Sequence, residues 1–181
     1  ISNSVITGNT AAWNHGGGNA GHGGGIVNTG TLFVSNCTIS NNSDVVAGGG
    51  IYSAGAITVN NCTFSGNETQ GLGGALYHST ATAAVVTNST ISNNLAWYIG
   101  ANTGGIFNDG FSGIATVTIN ISSITNNFSG SQPAAGGGIY NNGDSGVAAL
   151  TLTNSTVNGN SAGDVPTQVP GEDGEPGFIL N

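Results

Sequence analysis

The stretch GGGIYSAGAITVNNCTFSGN, residues 48–67, contains every feature that recurs along the chain. Three glycines precede an apolar pair, an alternating strip AITVN follows, and the segment NCTFSGN closes the unit on Asn67. Variants of the closing segment stand at 3–9, 36–42, 88–94, 122–127 and 154–160. The polypeptide therefore repeats one structural unit six times.

Alignment of the six closing segments gives columns of like residues. The column three places before the last is always apolar, and Thr or Ser flanks it in most copies. Apolar residues alternating with hydroxyls indicate a strand with one buried face. The last column is always asparagine, a residue that can form a stacked amide ladder and that tolerates tight turns. We expect this ladder to consist of Asn9, Asn42, Asn67, Asn94, Asn127 and Asn160.

A glycine-rich opening and an alternating strip complete each unit. The openings are GGGIV at 23, GGGIY at 48, GGALY at 73, GGIF at 104 and GGGIY at 136, and the strips are TLFVSN, AITVNN, AAVVTN, ATVTIN and ALTLTN. Repeats of this length indicate a solenoid, in which each coil pairs with its neighbours at about 4.8 Å. We predict an all-β, right-handed parallel β-helix over residues 1–162, with about six coils of three short strands joined by Gly and Asn turns. A Pro/Gly/acidic tail follows over 163–181.

The composition excludes several function classes. The 181 residues include 33 glycines and no lysine or arginine, and the net charge is −8. A chain without cations cannot neutralise phosphates, so we predict no nucleic-acid partner. No apolar run reaches the roughly 20 residues of a membrane helix, so we predict no membrane span.

The units, above all residues 48–67, resemble the right-handed parallel β-helix repeats of polymorphic outer-membrane proteins and related bacterial surface proteins. The resemblance covers residues 1 to about 162. It implies an extracellular or cell-surface protein with a structural or adhesin role, and it implies no particular enzymatic activity.

The cysteines and histidines are the residues most often used for redox or metal chemistry. Cys37 and Cys62 share a column one coil apart, and a separation of about 4.8 Å suits a disulfide. The alternative is a pair of buried thiols at positions where other coils carry serine. His15, His22 and His78 are scattered. A weak metal site formed by His15 and His22 in one glycine-rich loop is an alternative. We predict solvated histidines, no metal and no cofactor.

Enzymatic activity has one weak candidate pair. β-Helix lyases generally use Arg or Lys, which this chain lacks, and a glycosidase needs two carboxylates facing one cleft. Asp109 and Asp144 stand in successive units, but NDG and NGD are also ordinary turn sequences. We predict no catalytic residue.

Outward rows offer a binding surface instead. A column beside the inward isoleucines should form an aromatic stripe able to stack on surface glycans, and its members after Val27 are Tyr52, Tyr77, Phe107 and Tyr140. Hydroxyl rows through Thr38 and Thr63 are similar to the threonine arrays of ice-binding solenoids, although Val5 and Asn158 interrupt them. The alternative is a purely structural role, in which cross-strand stacking only stabilises the sheet.

The ends of the coil stack suggest self-association. Ile1 enters directly into a coil, and the tail is a candidate cap or inter-subunit arm through Phe178, Ile179 and Leu180. Contact of one subunit's first coil with another's last would give a filament. We therefore predict an extracellular structural β-solenoid that assembles head to tail with itself. The alternatives are a surface adhesin or glycan-binding segment and, third, a polysaccharide-degrading enzyme.

Overall fold

The protein is described by a computed structural model that covers residues 1–12, 21–79, 82–98, 102–111, 113–130, 136–163 and 179–180. All strands in these residues are parallel and fall into four sheets, and no helix occurs among them. The predicted all-β parallel β-helix is therefore confirmed. His15 and Phe178, two residues singled out in the sequence, lie outside the described residues.

Two of the sheets are built from the closing segment of each unit. The first, named here the hydroxyl sheet, contains β1 (Val5–Thr7), β5 (Thr38–Ser40), β9 (Thr63–Ser65), β13 (Thr90–Ser92), β17 (Ser123–Thr125) and β21 (Thr156–Asn158). The second, the short sheet, contains β2 (Thr10–Ala11), β6 (Ser43–Asp44), β10 (Glu68–Thr69), β14 (Leu95–Ala96), β18 (Phe128–Ser129) and β22 (Ser161–Ala162).

The other two sheets are built from the glycine-rich opening and the alternating strip. The aromatic sheet contains β3 (Ile26–Asn28), β7 (Ile51–Ser53), β11 (Leu76–Ser79), β15 (Ile106–Asp109), β19 (Ile139–Asn142) and β23 (Ile179–Leu180). The long sheet contains β4 (Thr31–Ser35), β8 (Ala56–Asn60), β12 (Ala83–Thr87), β16 (Ile114–Asn120) and β20 (Val147–Thr153).

Each coil thus has four strands where the sequence predicts three. The additional strands are those of the short sheet, which follow the asparagine column and contain only two residues each. Two residues are too few to show a period-2 pattern, so alternation alone could not reveal them.

Like residues lie over like residues because the register is regular. Ile39 pairs with Ile6 and Phe64, and Ile91 pairs with Phe64 and Ile124. These inward side chains are at most 1% exposed in the central coils, and full burial of one such side chain contributes about 1.5–3 kcal/mol. The apolar stack is therefore the main source of stability.

The glycine-rich opening forms the tightest corner of the coil. Gly48 has φ +76°, a conformation that favours glycine. At Gly49, a Cβ atom would lie 2.3 Å from the backbone oxygen of Glu68 and 2.6 Å from that of Gly74. A side chain at this corner would collide with backbone in its own coil and in the next, so the glycines allow the coils to stack.

The tail returns to the solenoid. The strand Ile179–Leu180 pairs in parallel with β19 of the same chain, with Ile179 opposite Ile139 and Leu180 opposite Tyr140. The backbone at this point extends the aromatic sheet by one strand. This is the position of a cap, whereas the inter-subunit arm remains a prediction.

Candidate functional site

The asparagine column forms one continuous hydrogen-bonded ladder. The Nδ2 atom of each asparagine donates to Oδ1 of the asparagine in the next coil, at 2.8 Å from Asn9 to Asn42 and at 3.0 Å from Asn42 to Asn67. The same bond measures 2.9 Å from Asn67 to Asn94 and from Asn94 to Asn127, and 2.8 Å from Asn127 to Asn160. Backbone N–H groups of the ladder donate to the same Oδ1 atoms at 2.9–3.2 Å.

Burial makes this ladder important for stability. Asn42, Asn67 and Asn127 are 0% exposed, and Nδ2 of Asn67 also donates to the carbonyl oxygen of Ile39 at 2.9 Å. Buried amides cost stability unless they are paired, and each of these is paired on both sides. The ladder therefore fixes the register of successive coils.

A second ladder runs through serine and cysteine. The backbone N–H of Cys62 donates to Oγ of Ser89 at 3.1 Å, and that of Ser89 donates to Oγ of Ser122 at 3.1 Å. The backbone N–H of Cys37 donates in the same way to Sγ of Cys62 at 3.4 Å. The thiols thus occupy the positions that hydroxyls occupy in other coils.

The two cysteines are free and buried in the structure. Sγ of Cys37 donates to the carbonyl oxygen of Ser35 at 3.1 Å, and Sγ of Cys62 donates to that of Asn60 at 3.2 Å. Burial raises the pKa of the Cys62 thiol, so it is a poor nucleophile. The structure thus describes the alternative of two buried thiols, in which each sulfur takes the place of a ladder hydroxyl, and the disulfide stays a prediction.

The aromatic column stacks as predicted, but its centre is not a free surface. Ring centroids lie 5.1 Å apart between Tyr52 and Tyr77, 5.5 Å between Tyr77 and Phe107, and 5.0 Å between Phe107 and Tyr140. Tyr77 is only 8% exposed and Phe107 only 2%. The row faces away from the main core, but residues of the preceding turns, including Val46, Ala47 and Leu72, pack over it as a second small core.

Within the aromatic row, only the residues at the two ends are partly accessible to solvent. Tyr52 and Tyr140 are half-buried, and the ring of His22 lies 4.5 Å from that of Tyr52. The expectation of a continuous outward stripe is therefore wrong for Tyr77 and Phe107. The reason lies in the turn residues, whose packing the strand alternation does not report.

Asp109 supports the aromatic row. Its Oδ2 accepts the hydroxyl of Tyr77 at 2.7 Å, and its Oδ1 accepts Nδ2 of Asn142 at 3.2 Å and the N–H of Phe111 at 3.0 Å. Burial, and then the neighbouring Asp109, raise the pKa of Tyr77. Asp144 is exposed in the turn after β19, and its N–H donates to Oδ1 of Asn142. The carboxylate of Asp109 thus has a hydrogen-bonding role, whereas Asp144 is a turn residue whose backbone N–H is hydrogen-bonded.

His78 belongs to an inner polar column that sequence reasoning missed. It pairs with Ser53 on one side and with Asn108 on the other, and all three are 0% exposed. Its Nε2 atom lies 3.2 Å from the carbonyl oxygen of Thr82, so Nε2 carries the proton. Burial lowers the pKa of His78. His78 is thus a neutral core histidine and not the solvated loop residue that the sequence suggested.

Asp44 is a second buried ionisable group that the sequence did not single out. It is 4% exposed, and its Oδ2 accepts the N–H of Ala47 at 2.6 Å and that of Val46 at 3.3 Å. Burial raises its pKa. Among the described residues, no three His, Cys, Asp or Glu side chains lie together as a metal site would require.

These features define a parallel β-solenoid whose coils are held in register by side-chain ladders. Residues 61–79, which include β9, β10 and β11, match the Chlamydia polymorphic membrane protein (Chlamydia_PMP) repeat. The chain thus carries a β-helix repeat of the polymorphic outer-membrane protein type, as its resemblance to that class predicts. No curated protein and no solved structure shows a significant match to the chain.

The matched repeat indicates a protein of the cell surface or outer membrane. Within the described part of the chain there is no helix with the length and apolar character needed to cross a bilayer.

Proposed function

We propose that the protein is a structural β-solenoid of the cell surface that extends by stacking further coils on its ends, as a filament or sheath subunit would. The observation that carries this proposal is the asparagine ladder, which repeats the same bonds between every pair of coils. A contact that repeats without closing generates a filament. The function is accordingly mechanical and organisational.

The chemistry of the two coil ends is complementary. At one end, Asn9 presents an Oδ1 atom of the kind that accepts two hydrogen bonds in every later coil. At the other end, Asn160 presents the backbone N–H and Nδ2 groups that donate in every earlier coil. A second copy stacked in the same register would join these donors to that acceptor.

Apolar side chains at the ends favour the same contact. Ile6 in the first coil and Leu150, Leu152 and Val157 in the last are only partly buried, whereas Ile39 and its equivalents in the central coils are fully buried. A further coil would remove this apolar surface from water, at about 25 cal/mol for each Å² buried. The edges of β20, β21 and β22 in the last coil, which are unpaired within the described residues, would gain backbone partners, whereas the edge of β19 is already paired with the tail strand β23.

Electron microscopy and sedimentation velocity on the purified 181-residue chain test the proposal. We expect rods that lengthen with protein concentration. Leu152→Lys places a charge in the end contact and should abolish the rods, whereas Thr151→Lys, on the outward face of the same strand, should leave them intact. A chain that stays monomeric at high concentration contradicts head-to-tail assembly.

A surface adhesin that binds glycans is the second candidate. The observation that favours it is the end of the aromatic row, where the exposed ring of His22 lies against the half-buried Tyr52, since rings at a wet surface can contact a sugar. Glycan arrays with the wild type and Tyr52→Ala test this candidate. A specific signal lost in Tyr52→Ala supports it, and an array without any signal contradicts it.

A further inference from the structure

The outward positions of the hydroxyl sheet form two straight rows along the solenoid. Strands β1, β5, β9, β13, β17 and β21 each contribute one side chain to either row, and their pairing is in register throughout. All of these side chains except Val5 and Asn158 carry a hydroxyl. The first row is Val5, Thr38, Thr63, Thr90, Ser123 and Thr156, and the second is Thr7, Ser40, Ser65, Ser92, Thr125 and Asn158.

The rows are accessible. Thr63, Thr90 and Thr156 are exposed, and Ser40, Ser65 and the remaining serines of the second row are half-buried. A third row flanks them on the neighbouring turn, where the exposed amides of Asn36, Asn61 and Asn88 are joined by hydrogen bonds of 2.8–3.3 Å. These bonds fix the orientation of the flanking amides.

The first row consists mainly of threonine, a β-branched residue that strands prefer. The repeated serines of the second row are not among the β-branched and aromatic residues that strands prefer. The two rows carry no charge, in a chain whose only acidic and basic residues, apart from three histidines, are 8 Asp and Glu. The hydroxyl itself, repeated in register, is the common property.

The spacing of the hydroxyls is set by the backbone. Successive members of one row are separated by the distance between strands, about 4.8 Å, and the two rows by two residues of one strand, about 6.6 Å. The hydroxyl of Ser40 donates to Oγ1 of Thr7 at 3.1 Å, so side chains of neighbouring coils are close enough for direct contact. The face is thus a two-dimensional lattice of small uncharged donors and acceptors on a rigid support.

We propose that this face binds ice. Ice is a periodic array of water molecules, each a hydrogen-bond donor and acceptor, and a rigid periodic array of hydroxyls can hold surface water at fixed positions. Rigidity reduces the entropy that must be lost on binding. Charged groups would hold strongly hydrated shells of their own, and the rows avoid them. The acidic side chains of the described coils lie elsewhere. Asp44 and Glu68 are on the short sheet, Asp109 is on the aromatic sheet, and Asp144 is in the turn after β19.

A partition experiment tests the proposal. Ice is grown slowly from a dilute solution of the whole chain, and the protein in the ice and in the remaining liquid is measured, with serum albumin as the excluded reference. We expect the wild type to be enriched in the ice. Thr63→Lys/Thr90→Lys, with two adjacent charges on the face, should fall to the level of albumin. The matched control is Thr118→Lys/Thr151→Lys, an adjacent pair on the outward side of the long sheet, and should behave as the wild type.

Circular dichroism establishes that each variant is folded, and Thr63→Tyr, a bulky residue well suited to strands, replaces the lysine variant if that one unfolds. Wild type excluded from ice like albumin overturns the proposal. Equal incorporation of both lysine pairs overturns the assignment to this face. Leu152→Lys, which lies on the long sheet and not on the hydroxyl sheet, should still partition into ice once its fold is verified, so the result is independent of filament assembly.

Discussion

Asn67 and Asn94, one coil apart, are joined by two hydrogen bonds to a single atom: Oδ1 of Asn94 accepts Nδ2 of Asn67 at 2.9 Å and its backbone N–H at 3.0 Å. In return, Nδ2 of Asn94 donates to the carbonyl oxygen of Phe64 at 3.2 Å. One side chain thus satisfies buried groups of its own coil and of both neighbours. A chain without lysine or arginine fixes its register with amides in place of ion pairs.

Asn94→Ala should therefore destabilise the protein strongly. The substitution leaves the buried backbone N–H of Asn67 without a partner and removes one of the two donors to Oδ1 of Asn127, at about 1–3 kcal/mol for each buried group affected. We expect a loss of about 3 kcal/mol in the free energy of unfolding, measured by urea denaturation. Asn88→Gly is the control, because Asn88 is exposed and its φ of +48° suits glycine. Its effect should stay within about 0.5 kcal/mol, and equal losses would contradict the role of the buried ladder.

The protein should become less stable as the pH is lowered, because His78 is buried in its neutral form. The pKa of His78 is lowered in the folded state from its usual 6.5, so its contribution is present above pH 6.5 and is lost as the pH falls through the folded value. His78→Asn introduces the residue found at the paired position, Asn108, and removes this titration. The stability of the variant relative to wild type should rise as the pH is lowered below 6.5. A constant difference across that range would refute the prediction.

Asp44 should have the opposite effect on stability, at lower pH than His78: the protein should become less stable as the pH rises. Its pKa is raised by burial, so its ionisation costs stability as the pH rises from its usual value of 3.8 through the folded value. Asp44→Asn keeps an oxygen for the N–H of Ala47 and removes the charge. The variant should gain stability over wild type as the pH rises. Thermal unfolding followed over a pH series measures both slopes, and a gain only in acid would contradict this sign.

Ile121→Gly should stabilise the protein. Ile121 has φ +49° and is 55% exposed, and a left-handed conformation costs a β-branched residue about 1–2 kcal/mol. We expect a gain of about 1 kcal/mol in the free energy of unfolding. Ile114→Gly, at an equally exposed position inside a strand, lacks a positive φ and should lower stability. A loss in both variants would show that strain at Ile121 is absent.

Reducing agent should leave the unfolding midpoint unchanged if Cys37 and Cys62 remain thiols. In the structure each sulfur is a ladder acceptor or donor, as the serines are. Cys37→Ser/Cys62→Ser should likewise be close to wild type, since hydroxyls continue the ladder through Ser89. A midpoint that falls on reduction would establish the disulfide that the sequence allows.

The repeat made the architecture predictable, because a stack of coils must place equal residues at equal positions. The asparagine column and the inward isoleucines could be read directly from that requirement. The short sheet could not, since its strands are too brief to alternate. In the sequence, the strip ATVTIN ends on asparagine as AAVVTN does, but the register places Asn120 opposite Thr87, and Ile121 takes the left-handed turn.

Burial outside the main core is the second feature that the sequence pattern did not predict. The positions of Tyr77 and His78 alternate as expected along β11, yet both are buried, one beneath the turns and one in the inner polar column. Alternation tells which side of a strand a residue occupies. Whether that side is covered depends on turns whose lengths and sequences vary from coil to coil.

The uniformity of the ladder bears on how such a gene can change. Because Asn42, Asn67 and Asn94 meet their neighbours through the same bonds, excision of residues 68–94 would set equivalent surfaces against each other. Tandem duplication or loss of one unit would then alter the length of the solenoid by about 4.8 Å. The length of the solenoid becomes a quantity that recombination can adjust one coil at a time.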